Sequence, residues 1–151
     1  MSNLLIVYHS QSGSCAELAR AACHGASLEP QVTTRVRRAI DAGVQDLSWA
    51  GGVLLVTAEN SASLAGGMKD FLDRTFYPAT ERSLVLPYAL LVSAGNDGRG
   101  AVQQAERILS GIPFTVATES LILRGELQPD FLNQASDMGQ AFAAGLEMGI
   151  F

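Results

Sequence analysis

Residues Leu4 to Cys15 read LLIVYHSQSGSC, and this stretch restricts the fold more than any other. LLIVY is an unbroken apolar run of strand length. It enters a hydroxyl-rich turn with a single glycine, and AELARAACHGA follows with Leu18, Ala19, Ala22 and Cys23 at helical spacing. A strand that turns tightly into a helix aims the first free N–H groups of that helix into the turn, where they carry partial positive charge. Ser10, Ser12 and Ser14 add hydroxyl donors, and Gly13 lets the backbone close around an anion. The turn holds no lysine or arginine, so a phosphate bound there would be held by dipoles rather than by counter-charge. The plainer alternative is that these serines only cap a helix and turn a corner.

Spacing separates this turn from other phosphate motifs. A dinucleotide fingerprint needs three glycines at fixed places, and a nucleotide P-loop ends in Gly-Lys-Ser/Thr; SQSGSC has neither. A cysteine phosphatase cradle would need arginine where Ala21 stands. No Gly-x-Ser-x-Gly elbow is present. His9 and His24 have no ligand-type neighbour at metal-binding spacing, so no metal site is expected and no catalytic side chain is named.

A length of 151 residues is expected to form one domain, 1–151, around one core. Hydrophobic residues make up 48% of the chain and mean hydropathy is +0.19, as a sheet covered on both faces requires. No apolar run approaches the ~20 residues of a membrane span, and Met1-Ser2-Asn3 lacks the charged head of a signal peptide. Two cysteines, Cys15 and Cys23, make no disulfide framework, so a reducing cytoplasm is the expected compartment. A net charge of −5 argues against nucleic acid as a partner.

Further along, Gln31 to Val36 has the β-branched content of a second strand, followed by Arg35, Arg37 and Arg38 close together. These arginines read as a solvated strand end, with contact to an adenylate phosphate as the sharper option. A loop with one helical turn near Val44 to Trp49 precedes a third strand, Gly51 to Asn60, whose Val53 to Val56 run is that of a central parallel strand. Trp49 is expected to plug the start of that strand. An amphipathic helix then puts Met68, Phe71, Leu72, Thr75 and Phe76 inward, with Lys69–Asp73 and Asp70–Arg74 as surface i,i+4 pairs and Pro78 helping to end it. Leu84 to Ser93 is a fourth strand that opens into AGNDGRG and a helix. Pro113 to Thr118 is a short fifth strand that ESLILRGEL continues or extends at the edge. A last helix from Pro129 to Gly149 turns Leu132, Ala135, Met138, Phe142 and Leu146 to one side.

Two motifs carry a family resemblance. The turn Ser10, Gln11, Ser12, Gly13, Ser14, Cys15 resembles the phosphate loop of the flavodoxin superfamily, Ser/Thr-x-Ser/Thr-Gly-x-Thr, with Cys15 at its last threonine. The stretch TAENSASLAGGMKDFLDR resembles the Thr-Pro-Glu-Asn to Gly-x-x-Lys-x-Phe-x-Asp-Arg segment of flavodoxin-like NAD(P)H-dependent FMN and quinone reductases. Ala58 replaces its usual proline, and Ser61, Ala62 and Ser63 stand where an aromatic-glycine-aromatic run is common. SAGNDG resembles that family's Ser-x-Gly-Asn-Asp-Gly.

The resemblance implies a flavodoxin-like α/β fold: a doubly wound, five-stranded parallel sheet in the order 2-1-3-4-5 with helices on both faces. It also implies FMN, with its phosphate on Ser10 to Cys15 and its ring between Thr57, Glu59, Asn60 and Ser61 on one side and Gly95, Asn96, Asp97 and Gly98 on the other. NAD(P)H would be the electron donor, a quinone or another small molecule the acceptor, and the assembly a dimer or tetramer. Two alternatives stand beside this oxidoreductase: a flavodoxin-type single-electron carrier, and a binding or regulatory domain of the same fold with weakened or lost FMN binding. Cys15, at a helix N-terminus, either plays a passive role in the turn or, as the sharper option, has a lowered thiol pKa.

Overall fold

The computed structural model describes residues 2–151. Strand β1 (Ser2–Tyr8) leads into helix α1 (Ser14–Ala26), and β2 (Val32–Arg38) is followed by the short α2 (Val44–Trp49). Next come β3 (Gly52–Asn60), the two-residue β4 (Ser63–Leu64) and α3 (Gly66–Glu81), then β5 (Pro87–Ala94) and α4 (Arg99–Gly111). Two short strands, β6 (Thr115–Val116) and β7 (Leu121–Arg124), precede the final helix α5 (Pro129–Met148).

The sheet runs β2-β1-β3-β5-β6, all parallel, with β7 also paired to β5 and β4 antiparallel to β3. Counting β5 as the fourth strand and β6 with β7 as two pieces of the fifth, this is the expected order 2-1-3-4-5. The fifth position is broken because β6 pairs with Pro87 and Tyr88 while β7 pairs with Leu91 to Ala94, and the residues between them leave the sheet.

Alternation along the strands sends side chains to two cores. Leu5, Val7, Val53 and Leu55 face Met68, Phe71 and Leu72 of α3 together with Ala105 and Leu109 of α4. Leu4, Ile6, Leu54 and Val56 face Leu18 and Ala22 of α1 and Phe142 of α5. Leu4 to Val7 are wholly excluded from solvent, the burial expected of a central parallel strand. Helices α1 and α5 cross at backbone distance: a Cβ on Gly25 would collide with the Ser136 carbonyl, and one on Gly139 with the Ala22 carbonyl. That crossing fixes the axis of α1, and with it the aim of its N-terminus.

Helix α3 departs from expectation at its end. Pro78 lies inside it and the helix continues to Glu81. The missing proline N–H is tolerated because the last turn is held from outside. Thr80 Oγ1 donates to the Ile112 carbonyl (3.1 Å), and Ala79 is completely buried. The surface pairs form as expected, Lys69 with Asp73 at 2.9 Å and Arg74 with Asp70 at 2.8 Å. Arg74 also donates to the carbonyls of Ala39 (2.7 Å) and Ala42 (2.9 Å), tying α3 to the link after β2. Trp49 closes α2 instead of opening β3, and the Arg35 guanidinium lies 3.9 Å from its ring centroid. Arg35 and Arg37 both meet Asp46, and Arg38 meets Asp41 at 2.9 Å, so these three arginines already have carboxylate partners.

Candidate functional site

Three strand-to-helix junctions meet at the carboxyl edge of the sheet, where ligands bind in open α/β folds. The first follows β1. Gly13 adopts φ 105°, and its N–H donates to Ser10 Oγ at 3.1 Å, closing the turn. No side chain caps α1. Its first-turn N–H groups therefore point into the turn without an internal partner. A cavity of about 170 Å³ sits there, lined by His9, Ser10, Gln11, Ser12, Ser14, Cys15, Ala58, Asn60 and Ser93. The volume is below the roughly 300–1,000 Å³ typical of sites that enclose a whole cofactor. It suits the phosphate end of a ligand whose remainder lies along the rim.

The second junction is a hairpin. Asn60 pairs with Ser63, which leaves Ser61 and Ala62 as a two-residue loop with φ of 51° and 65°. Two consecutive positive φ values identify a type I′ turn, the form whose twist matches the flanking strands. Asn60 Nδ2 donates to Gln11 Oε1 at 3.3 Å, joining the hairpin to the first turn. Its tip lies on α4: a Cβ on Gly100 would collide with the Ala62 carbonyl, and Gln104 Oε1 accepts from the Leu64 N–H at 3.0 Å.

The third junction, Gly95 to Gly98, opens α4, which like α1 begins at a left-handed glycine without a side-chain cap (Gly98, φ 89°). Asp97 holds Arg99 through both carboxylate oxygens at 2.7 and 3.2 Å, and the Arg99 N–H also reaches Oδ1 at 3.3 Å. These bonds, helped by the charges of Arg99 and Arg124, hold the Asp97 carboxyl below its usual range. Arg124, at the end of β7, donates from Nε to the Asp97 carbonyl at 2.7 Å.

The sequence candidates therefore divide. Ser10, Gln11, Ser12, Ser14, Cys15 and Asn60 line one cavity, with Gly13 shaping its floor. Thr57 lies just beneath, wholly buried, and its Oγ1 has no hydrogen-bond partner. Glu59 is directed toward Gly100, and Ser61 sits at the hairpin tip. Gly95, Asn96, Asp97 and Gly98 form the neighbouring loop and do not line the cavity itself. His9, Ala58 and Ser93 line it and were not among the candidates. Ala58 and Ser93 are register partners on adjacent strands, so period-two alternation from Val56 and Leu91 would have found them. His9 is held by packing, because its ring fills the space that a Cβ on Gly67 would take.

Of the two roles open to Cys15, the structure shows the passive one. Its thiol is buried against the α1 side of the sheet, and burial pushes its pKa up to about 12. Desolvation outweighs the helix N-terminus, and the thiol is a passive part of the wall. Among the described residues no cluster of His, Cys, Asp or Glu could hold a metal, and no helix is long and apolar enough to cross a membrane.

The donor set fits the phosphate of FMN. A monoester dianion would meet uncapped helix N–H groups and three serine hydroxyls, with no carboxylate lining the cavity.

Residues 14–126 match the family described as NADPH-dependent FMN reductase. No curated protein sequence matches the chain. Among solved structures, a flavodoxin from the domain Archaea superposes with a TM-score of 0.84 at 19% identity, covering 96% of this chain and 99% of that one. The WrbA-like flavodoxin of Agrobacterium tumefaciens gives 0.79 at 17%, with 98% and 99% covered. Rubredoxin oxygen:oxidoreductase of Desulfovibrio gigas gives 0.84 at 16%, covering 99% of this chain but 37% of that larger protein. At these identities the likeness establishes the flavodoxin-like fold.

Proposed function

Because the chain belongs to the NADPH-dependent FMN reductase family, a family of flavodoxin-like, FMN-binding oxidoreductases, we propose that it is an NAD(P)H-dependent enzyme that reduces quinones or other small acceptors. The observation that carries this reading is the uncapped N-terminus of α1 opening into a hydroxyl-lined cavity beside two further loops. Bound FMN would accept hydride from a nicotinamide and pass the electrons on. The protein's part is to bind, orient and shield. Ser10, Ser12 and Ser14 would hold the phosphate with the α1 N–H groups. The hairpin from Thr57 to Ser61 and the loop from Gly95 to Gly98 would flank the ring. No side chain is asked to move a proton. Free Cys15 and Cys23 suit a reducing cytoplasm. A second copy of the chain is a natural source of the aromatic surface that Ser61, Ala62 and Ser63 do not supply.

One observation favours a second reading, a domain that binds FMN weakly. The hairpin presents small side chains where an aromatic ring would add on the order of 0.5–1.5 kcal/mol of stacking. The absorbance spectrum of the purified protein and an FMN titration separate the two. A yellow protein, or saturable micromolar binding that Ser12→Asp weakens at least about 100-fold by placing a charge against the phosphate, supports the oxidoreductase. Bleaching by NADPH would then follow. A colourless protein that ignores millimolar FMN overturns it.

A further inference from the structure

The chain carries ten cationic side chains, and among the described residues only Arg82, Arg107 and Arg124 make no ion pair. Arg82 closes α3 and donates to Ser48, and Arg107 lies in the middle of α4. Arg124 is different, since it ends a parallel strand and so stands at the same sheet edge as the three loops. Its Nε is fixed on the Asp97 carbonyl at 2.7 Å, which leaves both Nη groups unbonded at an exposed position. Arg99 binds the Asp97 carboxylate through Nε and Nη2, so its Nη1 is also unbonded. Both guanidinium groups thus meet Asp97, Arg99 at its carboxylate and Arg124 at its backbone carbonyl, and each keeps N–H groups directed elsewhere.

We propose that Arg124, together with the free Nη1 of Arg99, forms a seat for the phosphate groups of a nicotinamide dinucleotide, distinct from the phosphate loop after β1. The proposal rests on the reading of the chain as a dinucleotide-using oxidoreductase and adds where that ligand is held. Guanidinium N–H groups match phosphate oxygens in pairs, and anchoring Nε fixes the direction of the remaining fork. Exposure is consistent with the role. A cation in water steers an anion and holds it with modest strength, as suits a donor that must leave after each turnover. The loop at Ser10 to Cys15 differs in offering hydroxyl and backbone donors and no cation. Glu126, two residues beyond Arg124, makes no ion pair with it.

The probe is 2′-phospho-ADP-ribose, the redox-inert half of NADPH, titrated calorimetrically into the full chain with and without FMN. The expected result is saturable binding that weakens as salt rises and does not compete with FMN. Arg124→Gln should lose roughly 10- to 100-fold in affinity, while Arg107→Gln, the same charge change elsewhere on the molecule, changes nothing. FMN affinity should be equal in the unaltered chain and Arg107→Gln; because Arg124→Gln also removes the bond to the Asp97 carbonyl beside the ring loop, its loss of probe affinity is read in the FMN-free chain. No binding to the unaltered chain, competition with FMN, or equal effects of the two substitutions would each overturn the seat. If the probe binds as expected but NADPH does not bleach the FMN-loaded protein, the seat stands and the proposed enzymatic activity falls.

Discussion

At the turn after β1 the backbone enters the left-handed region on Gly13 (φ 105°), whereas the hairpin after β3 does so on Ser61 (51°) and Ala62 (65°). The two lie side by side, joined by the Asn60–Gln11 hydrogen bond. In the first, glycine makes the conformation free of side-chain strain, and the open side of the turn is left for an anion. In the second, L-residues hold a conformation that costs roughly 1–2 kcal/mol each. The surroundings must supply that energy: pairing of β4 with β3, the Gln104 bond to Leu64, and the tip resting on Gly100. One loop is shaped by its own sequence and the other by its neighbours. A cofactor clamped between them would meet one wall that is preformed and one that is held under tension.

The largest expected effect comes from removing that support. Gly100→Ala puts a methyl group into the Ala62 carbonyl, a backbone atom that cannot swing aside. Overpacking of this kind costs about 2–3 kcal/mol, read as a lower urea midpoint with the slope unchanged. A neutral result would mean that the hairpin tip does not bear on α4. Gly13→Ala comes next. Nothing lies within 4 Å of the added Cβ, so the whole cost is conformational, about 1–2 kcal/mol. FMN affinity should fall with it, since a relaxed φ re-aims the loop N–H groups. Ala62→Gly should act in the opposite direction. It relieves the strain of a positive φ but loosens the unfolded chain, for a net gain of about 0.5–1 kcal/mol. A loss of stability instead would show that the Ala62 methyl, not the turn, holds the tip in place.

The same contrast explains what the sequence discloses. The continuous apolar runs at Leu4 to Val7 and Val53 to Val56, of strand length and bounded by turn residues, read as buried strands, while the order of the sheet is what the family resemblance implies. The turn at Gly13 is readable because glycine advertises its own φ. The type I′ turn at Ser61-Ala62 is not, because its usual Asn-Gly or Gly-Gly signal is absent and its geometry comes from contacts forty residues away, as with Leu64 and Gln104. Pro78 is misleading for the same reason. Proline signals a helix end locally, but the buried Ala79 and the Thr80 bond to Ile112 carry α3 onward. Cys15 sits at a helix N-terminus, which suggests an acidic thiol, and only the packed structure shows that its side chain faces the core. The break in the fifth strand lies beyond any local signal, since it depends on which residues of β5 find partners.

The smallest effect tests the third loop, where a side-chain ion pair is added to a left-handed glycine, Gly98. Hydrogen bonds from Arg99 lower the Asp97 pKa in the folded chain. The folded state therefore binds this proton less readily than the unfolded state does. The stabilisation is present above the ordinary aspartate value of about 3.9 and is lost as pH falls through the lowered folded value. Both side chains are largely exposed, so salt screens the pair and the effect is slight. Thermal melts of the unaltered chain and of Asp97→Asn should differ at pH 7 and converge toward pH 2, with half-molar salt narrowing the gap at neutrality. Asparagine keeps the Oδ1 acceptor that receives the Arg99 N–H, so it removes the charge and spares the turn. A difference that persists unchanged at pH 2 would assign the loop to backbone geometry, as in the hairpin, and not to the ion pair.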